Sequence, residues 1–497
     1  MPHYLTPDEM RRTMPAERAF PSPIPTQIVS NGEFTPLPQT REQRRVEARI
    51  EEMAETLGPR HGLSRRQFLA SAAGMAAAFL AMNETYGPLF DVSPAEASQP
   101  GVAAARADAL AGQFIFDVQT HFVRDDFRHE GLLDLAKFAK ANWNPGLWGE
   151  TTLARYKFEN YVKEIFVDSD TKVALLSGAP FDDPTWDLLS NEQIAAARTA
   201  INRIASARRL LGHAIFTPRK AGWMDQVDRA IALKPDSWKG YTIGDPLFPS
   251  KLGSYWRLDD EKLVYPFYEK IVKAGIPIVC IHKGLLPADY EKSWPNVWQY
   301  NTVWDLGKAA KDNPQVTFVI YHAALRAFLE KPDAALQEFE QTGRIKWATD
   351  LAELPSRYGV SNVYAEIGTA FANSAVASPR FAAAFLGTLV RGMGADHVLW
   401  GTDSVWYGSP QWQIEALRRL EIPEDMRRQH GFAPLGPADG LVKTAIFGAN
   451  AARLYNVQVR TALGAITRDR IAAIRAEYVA AGGLRSNQRY GYVATRA

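Results

Sequence analysis

The sequence predicts an α/β fold, a TIM-like (β/α)8 barrel, and two observations carry that prediction. Between residue 113 and about residue 456, short apolar runs alternate with amphipathic stretches, as they do in successive βα units. Several of these runs end on a His, Asp or Glu, and in a barrel of parallel strands the catalytic groups lie where the strands end. A leader precedes the barrel region, and a short helical extension follows it.

Eight runs have the length and composition of buried strands, and eight is the number that closes such a barrel. Amphipathic stretches between them predict helices, and two aromatic segments, 244–260 and 283–306, predict loops over the barrel mouth. The extension, 457–497, predicts one further helix over 468–481. The predicted strands are 114–121, 171–177, 211–217, 237–243, 276–282, 315–322, 362–367 and 397–403. The predicted helices of the barrel are 192–210, 260–274, 333–340, 376–391 and 411–420.

Composition narrows the class of function. The chain has 497 residues, of which 46 % are hydrophobic, enough to fill a large core. Its 57 Lys and Arg nearly balance its 55 Asp and Glu, which argues against nucleic acid as the main partner because nucleic acid needs a clustered basic field. Cys280 is the single cysteine, so neither an intrachain disulfide nor a Cys-based zinc site can form. Its position inside an apolar run predicts a small buried side chain.

Residues 64–97 resemble a twin-arginine export signal. The pair Arg65 and Arg66 is followed by Phe-Leu and by an Ala- and Gly-rich apolar run of about 14 residues, too short for a helix to cross ~30 Å of hydrocarbon. A small-residue cleavage site precedes Ser98. The resemblance implies a periplasmic or otherwise exported protein, with the twin-arginine export machinery as a partner. The alternative is an ordinary buried, Ala-rich helix.

The region before the arginine pair, residues 1–63, is rich in Pro, Arg and Glu and is predicted to be polar and unstructured. Its length is unusual, because the basic region of a signal is normally short. Translation from Met53 would leave such a short region, so the sequence leaves Met1 and Met53 open as starts. N-terminal mass spectrometry of the precursor distinguishes them.

Polar side chains gather at the predicted strand ends. In the first strand Asp117, Gln119 and His121 alternate with period two, so all three point to the same face, which at this end of a barrel strand is the interior mouth. His282 and His322 each close a β-branched run. We therefore expect these side chains to meet at one mouth of the barrel.

Asp403 completes the set, because it follows the predicted eighth strand and comes just after Gly401, where the backbone can pass close to a site. Imidazole and carboxylate groups of this kind suit Zn²⁺ or a related divalent ion. Taken singly, such a His is more often a hydrogen-bonded core residue, and such an Asp is often a helix N-cap. Recurrence at the ends of the first, fifth, sixth and eighth strands favours one polar active site.

These residues carry a family resemblance. The region from about 113 to 456 resembles the amidohydrolase superfamily, in the amidohydrolase-related branch that includes aminocarboxymuconate-semialdehyde and resorcylate decarboxylases. That branch has Asp-x-His-x-His or Asp-x-Glu-x-His on the first strand, His on the fifth and sixth, and Gly-(Thr/Ser)-Asp on the eighth. The matching residues here are Asp117, His121, His282, His322 and Gly401-Thr402-Asp403, together with the closing segment 446–455.

The resemblance implies one divalent metal ion, zinc or manganese, held by His121, His282 and Asp403. Gln119 would be the fourth ligand, but it departs from the pattern, since His or Glu is usual there and a neutral amide oxygen is a poorer ligand. The alternative is that Gln119 hydrogen-bonds a substrate or water. His322 would be a catalytic acid or base, and Asp403 would also accept a proton from metal-bound water. A sharper alternative is that this subgroup has lost tight metal binding.

Two further residues are candidates for positioning the substrate: Arg326, after the sixth strand, and Glu366, on the seventh. The alternatives are a surface Arg and a hydrogen-bonded framework Glu. A decarboxylase needs a cation that faces the carboxylate of its substrate, and Arg326 or Lys283 could serve.

Three functions follow from these residues. The first is a metal-dependent hydrolase, in which activated water attacks an amide, ester or lactone of a small molecule. The second is a lyase, a non-oxidative decarboxylase or hydratase of a small carboxylated substrate. The third is a metal-poor binding protein on the same barrel, suggested by Gln119. The sequence leaves the substrate and the oligomeric state open, and a homo-oligomer is among the assemblies considered.

Overall fold

Eight parallel strands form one sheet in sequential order, and helices lie between them. The predicted (β/α)8 barrel is therefore confirmed, and each observed strand lies within or overlaps its predicted run. The strands are β1 Phe116–Thr120, β2 Val173–Leu176, β3 Leu210–Ile215, β4 Ser237–Tyr241, β5 Ile278–His282, β6 Thr317–Tyr321, β7 Val363–Glu366 and β8 Val398–Leu399. The computed structural model describes residues 13–15, 22–26, 39–126, 156–184, 187–245, 249–286, 290–326, 332–406, 409–481 and 492–494.

Backbone hydrogen bonds between β8 and β1 close the barrel. Val118 N donates to Trp400 O at 3.0 Å, and Asp403 N donates to Gln119 O at 2.9 Å. Further along, His121 N donates to the carbonyl oxygen of Ser404 at 2.6 Å. Because this ladder continues past the end of β8, it brings the end of the eighth strand beside the end of the first.

The helices of the barrel begin and end where local signals place them. Helix α7, for example, begins after Ser190, whose hydroxyl accepts from Gln193 N in a capping box. The helices from the barrel region onward are α6 Phe158–Val162, α7 Asn191–Ala205, α8 Trp223–Ala232, α9 Tyr265–Lys273, α10 Tyr290–Ser293, α11 Leu306–Asp312, α12 Pro332–Thr342, α13 Ala348–Tyr358, α14 Ala370–Ala377, α15 Pro379–Met393, α16 Gln411–Arg419, α17 Glu424–His430, α18 Leu441–Thr444, α19 Asn450–Leu454, α20 Val459–Ile466 and α21 Arg470–Ala480. One-turn helices lie at Pro59–His61, Lys163–Val167, Trp298–Asn301, His322–Ala324, Ala395–His397 and Ala445–Ala449.

The strands are buried on both faces. This is expected in such a barrel, because helices cover the outer face of the sheet and side chains fill its interior. Inside the barrel, Val118, Cys280 and Tyr321 belong to one cluster of fully buried side chains. Cys280 is thus the small buried residue that the sequence predicts. Burying a side chain of the size of Val contributes about 1.5 kcal/mol or more, so these layers fix the strands that carry the site.

Within residues 39–115, five α-helices precede the barrel: α1 Arg41–Leu57, α2 Arg65–Leu69, α3 Ala72–Tyr86, α4 Pro94–Ser98 and α5 Val102–Leu110. Helix α1 lies in the region predicted to be unstructured. It forms because Val46, Ile50 and Met53 recur at helical spacing and are buried against α3. The remainder of residues 1–63 lies largely outside the described residues.

The predicted export signal folds into α2, α3 and the segment up to α4. Phe68 and Leu69 are fully buried, and so are most residues of α3, whereas Arg65 and Arg66 are exposed. This arrangement matches the buried-helix alternative, and export to the periplasm stays a prediction. Across the described ranges, no helix has the length and apolar character needed to cross a membrane.

The same segment is joined to the barrel. Glu96, in the predicted cleavage site, is buried and forms an ion pair with Arg419 at 2.9 Å. Asp91 N donates to the carbonyl oxygen of Arg419 at 2.7 Å, and Glu421 N donates to Leu89 O at 2.7 Å. The helices before residue 98 therefore complete the burial of the end of α16.

This packing gives a stability prediction. We expect Ala77→Asp to lower the free energy of unfolding by about 2–5 kcal/mol, because Ala77 is fully buried in α3 and an unpaired charge there would be desolvated. Glu84→Asp, on the exposed side of the same helix, should stay within about 0.5 kcal/mol of the wild type. Urea unfolding of the purified full-length protein measures both. Equal stabilities would contradict a structural role for the segment.

The C-terminal extension is also tied to the barrel. The predicted helix 468–481 is observed as α21, which begins after Asp469, whose carboxylate accepts from Ala472 N. The same carboxylate binds the guanidinium of Arg209 through two contacts, at 2.6 and 2.9 Å. Farther out, the short strands Thr13–Pro15 and Tyr492–Ala494 pair antiparallel, and residues 482–491 lie outside the described part of the chain.

Candidate active site

The predicted strand-end side chains meet at one mouth of the barrel. His121 Nε2 lies 3.0 Å from Asp403 Oδ1, and His322 Nε2 lies 3.1 Å from His282 Nδ1. Gln119 connects these two pairs, because its Nε2 lies 2.9 Å from Asp403 Oδ1 and 3.5 Å from His322 Nε2. Five residues far apart in the sequence thus form one polar network.

The backbone at this mouth is held in unusual conformations. His322 and Asp403 have φ of 60° and 61°, and Thr369 has φ of 56°, in the left-handed region that side chains rarely adopt. Each such residue costs about 1–3 kcal/mol and is retained where the surrounding contacts enforce it. The strain coincides with the polar network, as is common at functional sites.

Asp403 is a carboxylate whose oxygens are both engaged. Oδ1 is contacted by His121 Nε2 and Gln119 Nε2, and Oδ2 accepts from Thr369 Oγ1 at 2.6 Å. Burial alone would raise the pKa of Asp403, but the hydrogen bond and charge of His121 outweigh it and hold this pKa below its usual range. Asp403 is therefore a poor acceptor for a further proton. Thr369, three residues beyond the end of β7, is absent from the sequence-predicted set.

His322 is fixed from both sides of its ring. Its Nδ1 lies 2.8 Å from the carbonyl oxygen of Gly368, which makes Nδ1 the protonated nitrogen and leaves Nε2 free to exchange protons. Nε2 faces His282, whose ring stacks on Tyr241 at 5.0 Å between centroids. Burial lowers the pKa of His322 to about 4 and also lowers that of His282. Both rings are therefore neutral at pH 7.

Glu366 is buried at the end of β7 and accepts from His322 N at 3.0 Å and from Gly368 N. Burial raises its pKa to about 8. A β-carbon on Gly401 would lie 1.9 Å from Glu366 Oε1, and one on Gly368 would lie 2.5 Å from the same oxygen, so both glycines leave room for this carboxyl group. These contacts favour the framework alternative for Glu366 over direct contact with substrate.

Asp117 lies one layer deeper and links the first strand to the eighth. Its carboxylate accepts from Gln119 N and Thr402 N, both at 3.1 Å, and from Thr402 Oγ1. Burial raises the pKa of Asp117 to about 7. The side chain thus orients the segments that carry Gln119 and Asp403.

The two cations suggested by the sequence are already paired. Arg326 is buried and binds Glu291 through two contacts, at 2.7 and 2.9 Å. Lys283 is buried and lies 3.1 Å from Asp305. Arg326 is thus not a surface residue, which was the alternative to a role in positioning the substrate. Substrate binding by Arg326 stays a prediction.

Lys239, in the middle of β4, is a residue that the sequence analysis missed. It is fully buried, and its Nζ has no hydrogen-bond partner among the described residues. Nζ lies 3.4 Å from the ring centroid of Tyr321 and 5.0 Å from that of Tyr241, which stacks on His282. Burial lowers the pKa of Lys239 to about 7. A lysine within an otherwise apolar strand was the available signal.

The predicted metal ligands lie together at the mouth but are not arranged as a metal site. In the part of the chain that it describes, no three His, Cys, Asp or Glu side chains form a group that could hold a metal ion. His282 Nδ1 faces His322 Nε2, and His121 Nε2 faces the carboxylate of Asp403, so the ring nitrogens that a metal would need are engaged with protein atoms. As placed, the residues do not fit the zinc or manganese ion that the resemblance implies.

Solved structures with a similar chain trace share little sequence identity with this chain. An uncharacterized TIM-barrel protein from Bordetella bronchiseptica is 15 % identical, with a TM-score of 0.40 over 70 % of this chain and 99 % of that chain. A 5-carboxyvanillate decarboxylase from Sphingomonas paucimobilis is 16 % identical, with a TM-score of 0.38 over 70 % and 100 %. One from Novosphingobium aromaticivorans, with bound manganese, is 15 % identical, with a TM-score of 0.41 over 70 % and 98 %. These similarities are too low to assign an activity.

No curated protein sequence matches the chain significantly. The family model described as amidohydrolase matches residues 195–457, which is more than half of the 497 residues and includes β3 to β8. This span contains His282, His322 and Asp403, which the structure places in the polar network at the barrel mouth. The chain belongs to the amidohydrolase family.

Proposed function

We propose that the protein is a lyase that decarboxylates a small carboxylated molecule without oxidation, using acid–base chemistry at His322. The observation that carries this proposal is that Asp403 and His322 are hydrogen-bonded in different ways. Asp403 is fully hydrogen-bonded, whereas His322 is held with one nitrogen fixed and the other, 3.1 Å from His282, able to exchange a proton.

Hydrolysis by metal-activated water, the first expectation from the sequence, fits this geometry less well. It requires Asp403 to take a proton from water, but His121, Gln119 and Thr369 occupy its oxygens and the low pKa of Asp403 opposes protonation. Hydrolysis of this kind also requires a bound metal ion, and the positions of the candidate ligands do not fit one.

In the proposed reaction the bond between the substrate carbon and its carboxylate breaks, and CO₂ leaves. The electron pair stays on the carbon, which then takes a proton from the imidazolium of His322. A bound carboxylate would favour that imidazolium, because a nearby negative charge raises the pKa of an imidazole. The carbonyl of Gly368 keeps the ring in one orientation throughout. The proton that each turnover consumes comes from solvent and returns to Nε2 through His282, which takes up one proton as it gives up another.

Lys239 supplies the positive charge that the negative transition state needs, in place of the paired Arg326 and Lys283. We expect Lys239→Met to lower kcat on the order of 10–100-fold, because a unit charge several ångströms away at an effective dielectric of about 20 contributes about 2 kcal/mol. The exposed Lys311→Met is the matched control and should leave kcat unchanged.

The same lysine predicts a pH dependence. Its pKa of about 7 means that the charged form is present below pH 7 and is lost as the pH rises. The kcat of the wild type should therefore fall as the pH rises through about 7. The pH profile of Lys239→Met should lack this decrease. A profile unchanged by the substitution would remove Lys239 from the mechanism.

Substrate panels test the proposed class of reaction. Purified protein is incubated with hydroxybenzoate-type and aliphatic carboxylic acids and, separately, with ester and lactone probes. We expect CO₂ release from at least one acid and no turnover of the probes. Probe hydrolysis without CO₂ release would overturn the lyase in favour of the hydrolase.

A further inference from the structure

We infer that the amide of Gln119 takes the place of a metal ion, joining by hydrogen bonds the side chains that an ion would otherwise hold together. Its Nε2 lies between Asp403 Oδ1, at 2.9 Å, and His322 Nε2, at 3.5 Å. These two acceptors come from the eighth and sixth strands, and the amide comes from the first. A single neutral NH₂ group therefore bridges three strand ends.

The other ring nitrogens of the site also have partners within the protein. His322 Nε2 also faces His282 Nδ1 at 3.1 Å, and its Nδ1 faces the carbonyl oxygen of Gly368. His121 Nδ1 lies 2.9 Å from the carbonyl oxygen of Ser177, which directs its Nε2 to Asp403. An entering divalent ion would have to break several of these contacts to gain its ligands.

The orientation of the amide follows from its neighbours. Reversing it would place Oε1, an acceptor, against the carboxylate of Asp403, another acceptor. In the present orientation Oε1 is buried and has no hydrogen-bond partner in the part of the chain that the structure describes. It lies close to the point where a β-carbon on Gly368 would lie, 2.4 Å away. The NH₂ group therefore faces the acceptors although its own oxygen remains unpartnered.

Neither of the residues usual at this position could do the same. A Glu would place a second negative charge beside Asp403 and would need a cation to compensate it. A neutral His could donate only one proton, so it could not bridge both Asp403 and His322. With Gln119 in place, the hydrogen-bonded network needs no cation. Gln119→Glu should therefore create a tight metal site from the surrounding side chains.

Metal binding is measured without substrate, so its outcome does not depend on the lyase proposal. Wild type, Gln119→Glu and Gln119→His are dialysed against MnCl₂ and ZnCl₂, and their metal content is determined by plasma mass spectrometry. Titration calorimetry then gives the dissociation constants. Gln337→Glu, on the exposed face of α12, controls for the added charge.

We expect substoichiometric metal in the wild type and in Gln337→Glu. Gln119→Glu should hold close to one equivalent and bind at least about 100-fold more tightly than the wild type, since even residues outside the ligand set change metal affinity about 10–100-fold. Tight stoichiometric binding by the wild type would overturn the inference. A folded Gln119→Glu and Gln119→His that bind no more tightly than the wild type would also overturn it.

Discussion

Replacing His322 by Gln is expected to lower kcat by about 10²–10⁴-fold, the usual contribution of a positioned acid or base. The amide can still donate to the carbonyl oxygen of Gly368, so the network around β6 and β7 should remain intact. What is lost is the nitrogen that takes up and releases the proton. The expected effect is therefore on kcat and much less on KM.

The measurement is the initial rate of CO₂ release with the best substrate of the panel. His397→Gln is the matched control, because His397 lies at the opposite end of β8 and contacts the carbonyl oxygen of Ser361 at 3.1 Å. Circular dichroism checks that both variants are folded. A folded His322→Gln variant with the wild-type kcat would remove His322 from the reaction.

Removing the carboxylate of Asp469 is expected to lower the free energy of unfolding by about 3–5 kcal/mol, because a buried charge is then left without its ion-pair partner. Asp469→Ala leaves the guanidinium of Arg209 buried without its counter-ion. It also removes the hydrogen bond to Ala472 N, so α21 loses its N-cap. Both effects loosen the C-terminal extension from the barrel.

Urea unfolding followed by fluorescence tests this expectation. Asp439→Ala, at an exposed position, should stay within about 0.5 kcal/mol of the wild type. The double variant Arg209→Met with Asp469→Leu should recover part of the loss, because it replaces both charges by apolar groups. If Asp469→Ala is as stable as Asp439→Ala, the extension does not contribute to the stability of the barrel.

The barrel could be predicted because its signal is local and repeated. Each strand has its own apolar run, and the runs end on the side chains that meet at the mouth, so His121, His282, His322 and Asp403 follow from strand ends alone. The eighth strand is the exception in length, since β8 spans only two residues where a longer run was predicted. The chain departs from strand geometry there to reach Asp403, whose φ is 61°.

Contacts between distant side chains could not be predicted in the same way. The pairing of Arg326 with Glu291 depends on how two loops fold over the mouth, and no periodic pattern encodes it. The bridging position of Gln119 depends on the distance between the ends of three strands. The sequence shows that Gln119 stands where His or Glu is usual, but only the structure shows which side chains it contacts.

The segment before the barrel shows a second limit. An Ala-rich apolar run is compatible with an export signal and with a buried helix, because both need the same composition. The distinguishing feature is a set of partners elsewhere in the chain, such as Arg419 for Glu96. Those partners lie more than three hundred residues away in the sequence, as the separation of this pair shows.

Solvent deuterium incorporation tests the central claim most directly, that His322 protonates the carbon from which CO₂ has left. The reaction is run in D₂O with a ¹³C-carboxyl-labelled substrate and followed by NMR. We predict one labelled CO₂ for each deuterium found on that carbon, with both lost together in His322→Gln. Product formed by addition of water to an ester or lactone, with no labelled CO₂, would contradict the account.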